Sequence, residues 1–189
     1  LSTGGDSAGA GVHLACALSS GLRGARIPAQ SPSLVPANGR ALRAIGAAAL
    51  VCGVLDIGYV FVVFGWRDGR AERVLQGIAA ALLGPDARSG GWGSALFGLA
   101  MHFGVALGAT TLFFVISRRQ SALTRHPWIG GALYGVGFYV LMNAVVLRLT
   151  RLPAAPFPPP GWPTILLAHV LCVGWPIAWI VRALDPPAS

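Results

Sequence analysis

The chain has 189 residues, of which 54% are hydrophobic and only 11% are charged. A soluble domain carries about 25% charged residues, so this composition argues against a soluble protein and favours one embedded in a lipid bilayer. The net charge of +8 reflects 14 arginines spread along the sequence, which is typical of membrane-interface anchors and not of a nucleic-acid-binding patch. Three cysteines without C-x-x-C spacing predict neither a metal site nor a disulfide framework.

Residues 1–39 are rich in Gly, Ser and Pro and are predicted to be an irregular leader or linker, not an independent domain. They contain GDSAG at positions 5–9, the Gly-x-Ser-x-Gly pattern of a serine hydrolase nucleophile elbow. Residues 1–36 resemble the elbow segment of hormone-sensitive-lipase-type α/β-hydrolases. That resemblance implies that Ser7 corresponds to the catalytic nucleophile of a serine esterase or lipase.

The remainder of the sequence lacks the other parts that such a hydrolase requires. It contains no His-Gly-Gly oxyanion loop and no soluble β-α segment that would deliver a catalytic acid and base. Asp56 and His102 follow Ser7 in the family's chain order, but both fall in apolar stretches. Without a base, the Ser7 hydroxyl is a poor nucleophile. We therefore favour a hydrolase remnant and no enzyme activity, with an active esterase and a chance resemblance as the alternatives.

Four apolar stretches follow the leader, and each is long enough to cross a membrane. At 1.5 Å per residue the first reaches about 34 Å, against a hydrocarbon core of about 30 Å. Arginine or tryptophan residues flank these stretches, as is typical of membrane-spanning helices. The predicted spans are residues 44–66, 92–117, 128–147 and 164–184.

A fifth helix is predicted between the first two spans, at about residues 70–84. Its first half is charged and its apolar residues recur at helical spacing, so it should lie at the membrane interface. Pro176 predicts a kink in the fourth span. The expected fold is therefore an all-α polytopic membrane protein, in which residues 40–184 form a four-helix transmembrane bundle with one interfacial helix.

The distribution of arginines favours an orientation with both termini inside. The loop that carries Arg118, Arg119 and Arg125 is short and purely basic, which is typical of cytoplasmic loops. The expected location is the bacterial inner membrane.

Each predicted span carries one notable polar residue: Asp56, His102, Asn143 and His169, in chain order. Counting from the span ends, Asp56 and His102 lie about 15 Å from one membrane face, and the other two lie about 8 Å from the same face. An unpaired carboxylate at such depth is costly. We therefore predict that Asp56 pairs with His102 inside the bundle, and that Asn143 and His169 line the same cavity.

Three interpretations of this intramembrane polar cluster stay open. It could be a structural hydrogen-bonded network, a pathway for a proton or small solute, or a haem b site ligated by His102 and His169. A depth difference of about 6 Å between the two histidines weakens the haem interpretation. No other cofactor or metal is expected.

Two pairs of glycines four residues apart favour close packing of helices. They are Gly104 and Gly108 in the second span, and Gly131 and Gly135 in the third. The expected partners of the chain are the lipid bilayer and, as an open alternative, further copies in a homo-oligomer; nucleic acid is not expected.

Residues 44–184 resemble a short four-span bacterial integral membrane protein family without an assigned activity. The segments VLDIGYVF, LAMHFGVALG, YGVGFYVLMNAVVL and HVLCVGWPIA carry the likeness. Arg148 follows the VVL run, where that family is expected to have proline. The resemblance implies a fold and a location in the membrane, but no mechanism.

Overall fold

The computed structural model describes residues 37–65, 71–153 and 156–186 of the chain. Regular structure in these residues is helical throughout, and no strand occurs among them. The α-helices, numbered in chain order, are α1 (Ala37–Val60), α2 (Ala71–Leu83), α3 (Gly91–Arg119), α4 (Ala122–Arg125), α5 (Pro127–Val140), α6 (Trp162–Ala168) and α7 (Trp175–Leu184).

Four helical stretches are long and apolar enough to cross a membrane, which confirms the predicted all-α polytopic fold. In chain order, the first to fourth spans are Gly39–Val63, Gly91–Arg119, Pro127–Leu149 and Trp162–Leu184. The first span begins before residue 44, where the sequence prediction placed it, because the residues around Arg40 and Arg43 continue the same helix. Residues 1–36 of the predicted leader 1–39 lie outside the described residues, and residues 37–39 belong to α1.

Three of the four spans depart from α-helical geometry in the half of the membrane that holds the loop after Leu149. Their π-helical segments are Phe61–Gly65, Leu141–Val146 and His169–Gly174. In the fourth span the π segment ends just before Pro176, whose ring cannot donate to a carbonyl one turn back. The helix thus changes from π to α geometry just before Pro176, and the kink at Pro176 stays a prediction.

The third and fourth spans approach each other most closely at glycines. A Cβ atom on Gly131 would stand 2.8 Å from the carbonyl oxygen of Gly174, and one on Gly135 would stand 2.7 Å from that of His169. Only glycine permits backbones to lie this close. Gly131 and Gly135 therefore lie where the backbones of the third and fourth spans come into close contact.

The predicted packing at Gly104 and Gly108 is not met within this chain. Both residues are exposed, and a Cβ atom added to either would meet nothing within 4 Å. The second span turns a different glycine, Gly98, toward a neighbour, since a Cβ there would collide with the backbone of Leu75 on α2. In a uniformly apolar helix, spacing alone does not determine which glycines face a partner.

The apolar core fills the half of the bundle that lies toward Arg118 and the C-terminal end of α7. Phe113 and Ile177 are fully buried there, and Val181 is nearly so. The Tyr134 hydroxyl donates a hydrogen bond to the carbonyl oxygen of Ala109, which joins the third span to the second. This half of the bundle is closely packed, and it closes the other half on the side of Arg118.

The short helix α2 packs against the second span instead of standing apart from the bundle. Its buried residues are Leu75, Gln76, Ala79 and Ala80. The Gln76 side-chain amide donates to the carbonyl oxygen of Gly91 at 3.2 Å and to a carboxylate oxygen of Glu72 at 3.0 Å. A helix close to the predicted bounds of 70–84 is therefore present, and it covers one side of the bundle.

Candidate functional site

A cavity of about 550 Å³ lies in the half of the bundle opposite the packed core. All four spans contribute to its wall, and α2 covers it with Val74, Gly77 and Ile78. The lining is predominantly apolar. Its polar residues are Asp56, Arg88, His102, Thr150 and His169.

Asp56 lies on the first span and is half-buried. Its carboxylate forms no hydrogen bond with any residue in the described part of the chain, and it lines the same cavity as His102 and His169. Because Asp56 belongs to an apolar span, its carboxylate lies within the bundle, where few groups can compensate its charge. The direct pairing of Asp56 with His102 stays a prediction.

His102 connects the second span to the first. Its Nε2 hydrogen is donated to the carbonyl oxygen of Gly53 at 2.9 Å. Since a carbonyl oxygen only accepts, this bond places a hydrogen on Nε2, so that Nδ1 is an acceptor whenever the ring is neutral. The ring of Phe103 stands edge-on to the His102 ring, with centroids 5.5 Å apart, and fills the space beside Gly53.

His169 is fixed in the opposite tautomer by its own helix. Its Nδ1 hydrogen is donated to the carbonyl oxygen of Ile165 one turn earlier, at 2.8 Å. Nε2 is therefore an acceptor whenever the ring is neutral. The rings of Phe138 and Tyr139 lie against it at centroid distances of 6.0 and 5.7 Å, so the imidazole is held between aromatic side chains at the start of the π segment.

Asn143 does not line the cavity, in contrast to its predicted position. Its side-chain amide donates to the carbonyl oxygen of Tyr139 at 2.9 Å, one turn earlier in the third span. A short polar side chain in an apolar helix commonly satisfies itself in this way. Of the four predicted polar residues, the structure thus brings three to one cavity, namely Asp56, His102 and His169.

Two features of the cavity were missed by the sequence analysis. Arg88 lines it from the exposed turn Pro85–Ser89, which follows α2. The apolar face of α2 covers it, although the sequence placed this helix only at the interface. The spacing of Val74 and Ile78 signalled an apolar face, but not what that face contacts.

The two histidines differ in the ring nitrogen that bonds to a carbonyl oxygen, and ligation of haem b by His102 and His169 stays a prediction. His169 has Nε2 free and Nδ1 bonded to a carbonyl oxygen, which is the usual arrangement of a ligand. His102 has its Nε2 bonded to Gly53, so the haem interpretation is not supported by its geometry. Among the described residues, no group of three His, Cys, Asp or Glu side chains is arranged to hold a metal ion.

Comparison of the chain with models of protein families, with curated proteins and with solved structures finds no match. The cavity therefore has to be interpreted from its own residues. Ser7, the residue that the elbow resemblance singles out, lies outside the described residues.

Proposed function

We propose that the chain is an integral membrane protein that binds a small, mainly apolar molecule in the cavity, with the molecule's polar end at Asp56, His102 and His169. This proposal is supported by the position of Asp56, His102 and His169 in the wall of an otherwise apolar cavity of about 550 Å³. Ligand pockets in proteins typically enclose about 300–1,000 Å³ and combine apolar walls with a few polar groups.

The bonding of the cluster favours a binding site over a purely structural network. A structural network would satisfy its members among themselves, because an unpaired polar group in a membrane is costly. Here each histidine bonds to a backbone carbonyl, while Asp56 bonds to no residue in the described ranges. The acceptors that remain are available to a ligand.

The packing of the other half of the bundle favours binding over free passage. Phe113, Ile177 and Val181 are buried between the cavity and the membrane face that carries Arg118. A proton or solute that entered the cavity would meet this core. The π segments of the first, third and fourth spans support a functional role for the open half, since π segments occur frequently at functional sites.

We also propose the bacterial inner membrane as the location, with the C-terminus in the cytoplasm. The basic loop with Arg118, Arg119 and Arg125 supports this orientation.

The binding proposal can be tested with a neutral probe and a variant that fills the cavity. Gly77 lines the cavity, and a Cβ atom there would meet nothing within 4 Å, so Gly77→Leu should occupy cavity space without displacing backbone. Gly104→Leu is the matched control, since Gly104 is equally open but outside the cavity.

The probe is para-fluorobenzyl alcohol, followed by fluorine NMR with the protein in lipid nanodiscs. We expect a saturable bound signal for the wild type and for Gly104→Leu, and its loss in Gly77→Leu. A wild-type sample without a saturable signal, or equal binding by all three proteins, would contradict the proposal.

A further inference from the structure

The hydrogen-bonding character of the cavity wall restricts the kind of molecule that it can hold. Asp56 supplies carboxylate oxygens, which only accept when the group is ionised. The hydrogen bonds to Gly53 and Ile165 leave one acceptor nitrogen on each neutral ring of His102 and His169. With both rings neutral, these three side chains offer acceptors and no free donor.

Asp56, His102 and His169 all line the cavity. The Tyr139 hydroxyl is a buried side-chain oxygen without a hydrogen-bond partner among the described residues, and Tyr139 does not line the cavity. The oxygens of Asp56 and the free nitrogens of the two histidines are not closed off in this way. A ligand that enters can reach them.

We propose that the cavity binds the protonated amino group of a lipophilic amine, placed between Asp56, His102 and His169, with the apolar body of the amine against the surrounding walls. This inference rests on the proposed binding function and specifies its ligand class. An alkylammonium group carries up to three N–H donors, and its positive charge would compensate the negative charge of the Asp56 carboxylate. The Phe138 ring, which also lines the cavity, adds an aromatic surface that attracts cations.

A metal ion is a poorer match to the same residues. Metal–ligand bonds are about 2.0–2.3 Å long, and no three suitable side chains of the described residues are gathered for such bonds. Donors of an ammonium group reach acceptors at about 2.8 Å, and its carbon body fills the remaining apolar volume. The site therefore fits an organic cation better than a bare ion.

The other charged and titratable groups of the cavity are consistent with this ligand. Arg88 is an exposed residue of the short 3₁₀ helix Pro85–Ser89, so its charge is screened more than that of a buried group. The Cys52 thiol donates to the carbonyl oxygen of Ala49 within its own helix and so adds no competing charge. Asp56 is the only acidic residue among those that line the cavity in the described structure.

Three probes with one ring and different head groups test the inference. They are para-fluorobenzylamine, para-fluorobenzyl alcohol and para-fluorobenzoate, measured by fluorine NMR on the full chain in nanodiscs of neutral lipid. We expect the amine to bind about tenfold more tightly than the alcohol, because its hydrogen bonds are charge-assisted, and the benzoate to bind most weakly. Empty nanodiscs correct for partition into the lipid.

Variants of Asp56 then identify the source of the preference. Asp56→Asn should bind amine and alcohol equally, whereas Asp56→Glu should retain the preference. Asp86→Asn is the matched control, since it removes one carboxylate from an exposed position outside the cavity and should retain the wild-type order of affinities.

The outcomes separate this inference from the proposed function. If the alcohol binds but the amine gains nothing over it, the amine inference is wrong while the binding function stands. If none of the probes binds to the wild type, both are wrong. The wild-type comparison decides between these outcomes even if a variant fails to fold.

Discussion

The imidazole of His102 is joined to the backbone of Gly53 by a hydrogen bond of 2.9 Å that crosses from the second span to the first. His169, by contrast, bonds to Ile165 within its own helix. The two histidines of the cavity therefore have different structural roles, because only His102 forms a hydrogen bond between two spans.

Replacement of His102 by Leu should lower the free energy of unfolding by about 1 kcal/mol, the usual contribution of a hydrogen bond between membrane helices. His169→Leu is the matched control and should cost less, since its bond connects no second helix. Equilibrium unfolding in mixed micelles would measure both variants. A larger loss in His169→Leu than in His102→Leu would contradict the role assigned to His102.

Gly131 and Gly135 of the third span should be much less tolerant of a methyl group than Gly104 and Gly108 of the second. In Gly135→Ala the new Cβ would stand 2.7 Å from the His169 carbonyl oxygen and from the Val170 Cα. Such overpacking typically costs about 1–3 kcal/mol. Thermal unfolding in detergent should show a clear decrease in Tm for Gly135→Ala and little change for Gly108→Ala, which has open space. Equal sensitivity of the two sites would contradict the observed packing.

Gln76 should determine how firmly α2 covers the cavity. Its replacement by Met keeps the approximate volume but removes the hydrogen bonds to Gly91 and Glu72. Loss of these two hydrogen bonds costs about 0.5–1.5 kcal/mol each. Hydrogen exchange followed by mass spectrometry should show faster exchange in Ala71–Leu83 while exchange in α7 stays unchanged. Unaltered protection of α2 would mean that its apolar contacts alone hold it.

The proposed orientation can be tested with a reporter fused after the last residue. Green fluorescent protein fluoresces in the bacterial cytoplasm but not after export to the periplasm, so a fluorescent fusion is expected. Replacing Arg118, Arg119 and Arg125 together by Gln should reduce the fluorescent fraction, because these charges favour a cytoplasmic loop. An alkaline phosphatase fusion that is active at the same position would contradict the orientation.

The sequence alone was sufficient to predict the four spans and three of the polar residues that share a cavity. Long uncharged runs define membrane helices because the bilayer sets their length, and counting residues from the span ends placed Asp56, His102 and His169 in the same half of the membrane. The structure brings these three to one cavity. Depth along a helix can thus be obtained from the sequence with simple geometry.

Rotation about the helix axis could not be obtained in the same way. Asn143 has a suitable depth but bonds within its own helix and does not line the cavity. Gly104 and Gly108 have the same spacing as Gly131 and Gly135 but face no neighbour. When a helix is apolar on all sides, no periodic pattern identifies its buried face, and the choice depends on the neighbouring helices.

The π segments make the lining of the cavity depend on chain length as well as on residue type. A single residue advances an α-helix by about 100°, so deleting one residue in a π segment would restore α-helical geometry and turn the residues on one side of it by about that angle. His169 stands at the first position of its π segment, and Met142 and Val146 lie within that of the third span. Insertions and deletions of one residue in these segments could therefore exchange the side chains facing a ligand while the four spans stay in the membrane.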